Sequence, residues 1–329
     1  MYFPRLLMMA CIVTAASSGG TALAVEPQSA VDRPAMMSTK ASRSLLIDIA
    51  WAGKRLVAVG DRGHILLSDD EGKSWQQAAV PVSVMLTAVF FPDERHGWAV
   101  GHNGVILSSA DAGASWQVQH SDKSADDEKF GHPLLDVWFA DDKTGYAVGA
   151  YGYFLATQDG GATWSNHAGA VNDTEGWHLN AIAGMPGTDM VFIAGERGVL
   201  YRSPDRGITW QSLSSPFDGS FFGVSAVAPD MLLVYGLQGR LYRSSDQGKS
   251  WQQVQTGVTS GLNDAAMLDD GQIVVVGNAG VLLHADDMHL NFIARARDDR
   301  QAIMAALPLP NGAAVTVGDG GAKLLPASK

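Results

Sequence analysis

Cysteine is nearly absent from this chain of 329 residues: the single one, Cys11, lies in an apolar N-terminal stretch. A fold that can form no internal disulfide must be held by its core. Long hydrophobic runs are also missing. Beyond the first two dozen residues no segment approaches the ~18 uninterrupted apolar residues of a membrane-spanning helix, so none is expected to span a bilayer. Positive charge is scarce, with 23 Lys and Arg against 34 Asp and Glu and a formal net charge of −11. Such a surface repels nucleic acid and anionic lipid, and neither is expected as a partner. No stretch outside the N-terminus keeps a 3.6-residue apolar period, which argues against helices. A Walker loop, a G-x-S-x-G elbow and metal-ligand His spacings such as H-x-H or H-x-x-x-H are all lacking. No metal or cofactor is expected.

The N-terminus has its own logic. Arg5 supplies a short positive region, Leu6 to Ala16 form an apolar run, and Ala22-Leu23-Ala24 ends it with small residues. This is the pattern of a secretory signal peptide over residues 1–24, with cleavage near Ala24 and a periplasmic or secreted product. A lipoprotein reading through Cys11 is disfavoured by the poor lipobox Met8-Met9-Ala10. The remaining chain is expected to be an N-terminal segment, 25–45, followed by a repeat domain, 46–329.

What the sequence does contain is a repeat. A G-x-x-G turn occurs seven times, beginning at Gly60, Gly101, Gly149, Gly195, Gly236, Gly277 and Gly318, with spacings of 41, 48, 46, 41, 41 and 41 residues. Periods of ~40–50 residues built from short strands mark propeller blades. In the first unit Leu46–Trp51, Arg55–Gly60, His64–Ser68 and Ser74–Ala78 read as four strands, a to d, rich in β-branched residues and bounded by Gly and Asp turns. The expected fold is all-β, a seven-bladed β-propeller, and the protein is expected to be monomeric. The seventh unit stops after strand c, and Pro34 to Ser42 stands before the first strand a as other d strands do before theirs. That segment is therefore expected to complete the last blade and close the ring, so that deleting residues 33–43 would open the propeller.

Between strands c and d, five units carry S/T-x-D-x-G-x-x-W. Their acids are Asp70, Asp111, Asp159, Asp205 and Asp246, and their indoles Trp75, Trp116, Trp164, Trp210 and Trp251. The carboxylate accepts N–H groups of its own turn, Gly supplies positive φ, and Trp packs into the sheet layer. Five copies spaced around a ring cannot converge on one substrate, so the acids are expected to be turn staples and not catalysts. The sixth unit keeps Asp286 but has Met288 and Asn291 in place of Gly and Trp.

Strand alternation puts the c–d turns on one face of the disc and the G-x-x-G turns, between b and c, on the other. The long d–a connections, His120 to Pro133 and Asn166 to Trp177, belong to the second face. Insertions confined to one face of a repeat ring mark its binding side. The candidate partner-binding residues there are Arg62, His102, Tyr151, Arg197, Gln238, Arg240, Trp177 and His178, with Asp126, Asp127, Glu128 and Asp173 in the insertions. Arg197, Arg202, Arg240 and Arg243 recur in two G-x-L-Y-R-S-like stretches, either as a basic strip or as strand-end caps.

The S/T-x-D-x-G-x-x-W element is similar to the Asp-box, or bacterial neuraminidase repeat. A sialidase would also need an Arg-Ile-Pro segment, which does not occur here, and six blades. Leu86 to Trp116 and Leu135 to Trp164 follow instead the unit of the photosystem II stability/assembly factor-like propellers, which the chain resembles over residues 35–329. The resemblance implies a non-enzymatic propeller without a cofactor that binds an integral membrane subunit or complex during assembly. With a bacterial export signal, this points to an assembly or accessory role on the periplasmic side. The alternative is a carbohydrate-binding propeller or a cryptic sialidase-like glycosidase.

Overall fold

The structure, a computed structural model, describes residues 29–122, 131–171, 175–229, 231–268, 271–285, 289–310 and 312–326. Among these the strands form seven antiparallel sheets in meander order, six of four strands and one of three. In blade one strand a is Leu46–Ala52, b is Arg55–Gly60, c is Ile65–Ser68 and d is the short Gln76–Gln77. Strand a opens at Leu86, Leu134, Leu179, Phe221, Leu262 and Ile303 in the blades that follow. The seven-bladed all-β propeller read from the repeat is the observed fold.

Burial follows position within the blade. Strand b is enclosed on both faces by neighbouring blades, so Gly97–Gly101, Gly145–Gly149 and Ile273–Gly277 are buried throughout and read as unbroken apolar runs. Strand d lies at the rim and is largely exposed. Every strand a carries a register shift one residue in, at Leu46/Asp48 in blade one and at the matching place in the other six. Bulges re-aim side chains, and here the bulge turns two residues per blade toward the central channel. The same bend brings strand a against the first Gly of G-x-x-G. A Cβ at Gly149 would collide with the Pro133 carbonyl oxygen, and one at Gly195 with that of His178.

The blades are stitched together at the inner rim. Asp48 Oδ2 accepts from Val89 N–H of blade two at 2.8 Å, and Asp136 Oδ2 from Ile182 N–H of blade four at 2.8 Å. Asp264 Oδ2 accepts from Ala306 N–H of blade seven at 2.9 Å. Between these, Thr87 donates to Leu134 O at 2.8 Å and Asn180 to Phe221 O at 2.7 Å.

Ring closure differs from the expectation. Among the described residues blade seven has three strands, ending with Lys323–Leu325, and Pro34 to Ser42 does not pair with it as a fourth. Residues 30–38 run instead along the outer side of blade one. Ala35 N–H donates to Val80 O, Gln77 Nε2 to Met36 O, and Ser38 N–H to Gln77 Oε1. The Gln77 side chain clamps the segment by both backbone polarities, and Ala30, Val31 and Ala35 pack on the blade-one core. Blade seven meets blade one through Ala322 N–H to Ser42 O, 3.2 Å, and Trp51 Nε1 to Pro308 O, 3.0 Å.

Candidate functional site

Two faces of the disc are chemically distinct. On the c–d face the five S/T-x-D-x-G-x-x-W motifs repeat one hydrogen-bond pattern. The Ser or Thr hydroxyl donates to Asp Oδ1 at 2.8 Å in every copy. That hydroxyl also accepts the box glycine N–H at 2.7 to 2.9 Å. A second hydroxyl, one residue before Trp, donates to Asp Oδ2. With its oxygens engaged in this way, Asp70 is held down at about 2 by the Ser74 hydroxyl, the Ser74 N–H and the Ser68 hydroxyl, and Asp246 likewise at about 2 by Ser250 and Ser244. These are ionised staples with their lone pairs committed. Trp116 and Trp210 donate from Nε1 to their own box glycine carbonyls.

The opposite face carries the G-x-x-G turns. Six of the seven are short 3-10 turns, and in each of these the second x sits in the left-handed region without being glycine: Arg62, Asn103, Tyr151, Arg197, Gln238 and Ala279, with φ from 51° to 60°. Non-glycine residues there are uncommon and carry a conformational cost. Arg62, Tyr151, Arg197 and Gln238 are exposed, and Tyr151 keeps 68% of its surface accessible.

Blades three and four bring several of the expected residues into contact. The Tyr151 ring meets His178 edge-on at 5.0 Å and His132 at 6.5 Å. The Arg197 guanidinium lies 5.0 Å above the Trp177 ring. His178 N–H points to Glu196 Oε2 at 3.3 Å, and Trp177 O receives Gly152 N–H at 3.0 Å. Beside this patch Asp122 gathers a network that the sequence did not reveal. It accepts from Tyr153 Oη at 2.9 Å and His132 N–H at 3.0 Å, with His120 Nε2 at 3.4 Å. Burial opposes its charge, but the hydrogen bonds from His120, Tyr153 and His132 outweigh that and hold its carboxyl below the usual range. Burial first, and then Asp122, raise the Tyr153 phenol. The only sequence signal for this network was the clustering of His120 and His132 near an insertion. Its partners lie 31 and 10 residues apart in the chain.

The other candidates sit apart on their own blades. Arg62 pairs with Asp61 at 3.2 Å on blade one, and His102 is exposed on blade two. Gln238 is exposed on blade five, where Arg240 lies 5.9 Å from the Phe217 ring. The four recurrent arginines form no single strip. Arg197 and Arg240 stand at the turn end of strand c, whereas Arg202 reaches back to Gln247 O of blade five at 3.1 Å and to Gln211. Arg243 occupies the same register in blade five. Asp126, Asp127, Glu128, Asp173 and Asp286 lie outside the described residues.

The channel contributes a third group that the sequence reading passed over. Asp48, Asp136 and Asp264 all face it, and its mouth on the G-x-x-G side, about 480 Å³, is lined also by Thr87, Asn180 and Asn263. Burial pushes Asp48 up to about 8 and Asp136 up to about 7, and raises Asp264. Their mutual repulsion adds to this. Each keeps partial contact with channel solvent. Each also spends one oxygen on its own following N–H, Ile49, Val137 or Ala265. Among the described residues no arginine lines this mouth or the opposite one. Among the described residues no group of three or more His, Cys, Asp or Glu is placed to hold a metal ion, and no helix is long and apolar enough to cross a membrane.

Comparison with known proteins returns a consistent picture. The family model described as photosynthesis system II assembly factor YCF48 matches residues 73–132 and 127–288, about two thirds of the chain. Among solved structures, one titled YCF48 bound to D1 peptide superposes with a TM-score of 0.68 at 16% identity, covering 90% of this chain and 100% of that one. YCF48 from Cyanidioschyzon merolae gives 0.67 at 16% identity over 89% and 98%. The WD40 propeller domain of Doa1 gives 0.67 at 10% identity over 91% and 97%. No curated protein sequence matches significantly.

Proposed function

Because this chain belongs to the photosynthesis system II assembly factor YCF48 family, we propose that it is a non-catalytic propeller that binds a segment of an integral membrane protein, as an assembly or accessory factor on the periplasmic side. The observation that carries this reading is the contiguous patch of Tyr151, Trp177, His178 and Arg197 on the G-x-x-G face of blades three and four. Aromatic and arginine side chains on a rigid scaffold are the groups that dominate protein recognition. A solved family member is titled as bound to D1 peptide, which supports a peptide segment as the ligand class. Export through residues 1–24 would place the propeller beside the exposed loops of membrane proteins.

The alternatives lack matching chemistry. A sialidase gathers arginines on its substrate carboxylate, whereas the channel here is lined by Asp, Asn and Thr. A lectin stacks sugar on an open indole, whereas one face of Trp177 is taken by Arg197.

The test is to cross-link intact cells and quantify proteins that copurify with the tagged chain or with its Tyr151→Ala, Trp177→Ala, Arg197→Glu triple variant. One integral membrane protein enriched with the parent and lost at least tenfold with the variant supports the reading. Equal enrichment in both, or none in either, rejects it.

A further inference from the structure

The protein is acidic as a whole, with 23 Lys and Arg against 34 Asp and Glu, yet one stretch departs from that balance. Residues 33–43 carry Arg33, Lys40 and Arg43 and no acid. All three cations are exposed. Between them stand Met36, 79% exposed, and Met37, 60% exposed. Met36 is the most exposed large apolar side chain among the described residues. Single exposed apolar side chains are ordinary on a protein surface, but here two stand in succession between cations.

The way the segment is pinned imposes this exposure. Ala35 N–H donates to Val80 O at 3.0 Å, Gln77 Nε2 to Met36 O at 3.0 Å, and Ser38 N–H to Gln77 Oε1 at 2.8 Å. These bonds keep Ala35 buried against the blade-one core and leave Met36 and Met37 outside it. Arg33 is steadied by Ser83, its Nε donating to Oγ at 3.1 Å. A 3-10 turn over Ala41–Arg43, with Arg43 N–H on Lys40 O at 2.9 Å, holds the other two cations together. The charges around the stretch are Asp32, exposed at its start, and the Arg62–Asp61 pair of the adjoining turn, which meets the segment through His64 Nδ1 and Ser44 Oγ at 2.9 Å.

We infer that this outer rim of blade one is a membrane-contact surface, which takes the headgroups of anionic lipids on Arg33, Lys40 and Arg43 and sets Met36 and Met37 into the boundary of the acyl chains. Charge complementarity selects the sign of the lipid. The two methionines select a bilayer over a soluble polyanion, because only a bilayer offers apolar depth beside its charge. Interfacial binding scales with buried apolar area plus attraction to anionic headgroups. Basic side chains act within about a Debye length of the surface, ~10 Å at 0.1 M salt. At that range the local cluster outweighs the net charge of −11 that governs the approach from a distance. The inference does not rest on the Tyr151–Trp177 patch, which lies on blades three and four.

The test is co-sedimentation of the protein, purified from the cells that make it, with vesicles of phosphatidylcholine alone or of equal parts phosphatidylcholine and phosphatidylglycerol. Saturable binding is expected, at least tenfold tighter on the mixed vesicles and weakening as salt is raised. Arg33→Glu, Lys40→Glu and Arg43→Glu together abolish that preference, and Met36→Ser with Met37→Ser weakens binding several-fold. All five positions are exposed, so both variants keep the thermal melt of the parent. The matching control, Lys54→Glu, Lys73→Glu and Lys249→Glu, changes the net charge equally at exposed positions on the opposite face and leaves binding unchanged. Absence of binding, equal binding to both vesicles, or equal loss in the lysine control overturns the proposal. Loss in the cation variant with none in the methionine variant marks a site for a soluble polyanion and overturns it as well. A second copy on this rim would show as a concentration-dependent dimer without vesicles, abolished by Met36→Ser with Met37→Ser, and would also overturn it.

Discussion

At the residue scale, the motif glycines and the motif Trp are structural, whereas turn-tip side chains such as Tyr151 stand exposed. A Cβ at Gly149 has nowhere to go but into the Pro133 carbonyl. Gly149→Ala is therefore expected to cost ~1–3 kcal/mol through overpacking, read as a lower urea midpoint with unchanged slope. Trp116, 5% exposed, packs on blade one, and Trp116→Ala should cost ~3–5 kcal/mol by the same measurement. Tyr151→Ala, at an exposed tip, should leave the midpoint within ~0.5 kcal/mol. The channel acids give a pH signature. Asp48 and Asp136 rise from 3.8 to about 8 and about 7 on folding. The folded state thus binds their protons more tightly, and their contribution is complete below about pH 4 and lost as pH climbs through 7 to 8. The c–d turn acids run the other way: Asp70 and Asp246, at about 2 when folded, contribute above about pH 4 and fail as pH falls toward 2. Melting temperature should therefore peak between about pH 4 and 6 and fall toward pH 8.5, and Asp48→Asn should flatten the alkaline side. A melting temperature that rises from pH 5 to 8.5 would contradict the channel assignment.

At the scale of elements, the sequence was most informative where a rule is local and repeated. The G-x-x-G spacing located seven strand-b ends, and the S/T-x-D-x-G-x-x-W motif located the c–d turns, because each is satisfied within a few residues: the side chains of Ser68, Asp70 and Ser74 and the Gly72 N–H bond to one another. The reading failed where a distant side chain decided the outcome. Pro34 to Ser42 has the spacing of a strand d, yet Gln77 captures Met36 and Ser38 on blade one. The Asp122 network escaped for the same reason, since Tyr153 reaches it from the next blade. The Asp at the third position of strand a was visible at Asp48, Asp136 and Asp264, but only the bulge shows that it faces the channel. With the apolar packing of the N-terminal segment made by Ala30, Val31 and Ala35 on blade one, deletion of residues 29–39 should cost only ~2 kcal/mol of apolar burial and keep the β-sheet circular dichroism. Loss of the folded spectrum would instead show that the segment closes the ring.

At the scale of the whole molecule, the proposed function divides the disc into a face of internal staples and a face of recognition. The c–d face spends its polar groups on internal bonds, whereas the G-x-x-G face holds exposed tips at a conformational cost that packing within each blade sustains. The direct test of that division is site-specific photo-cross-linking in intact cells, with the photoreactive residue at Tyr151 on one face or at Ile208, 67% exposed in the blade-four box, on the other. The account predicts one cross-linked integral membrane protein from position 151 and none from position 208. The same product from both positions, or from position 208 alone, would contradict it.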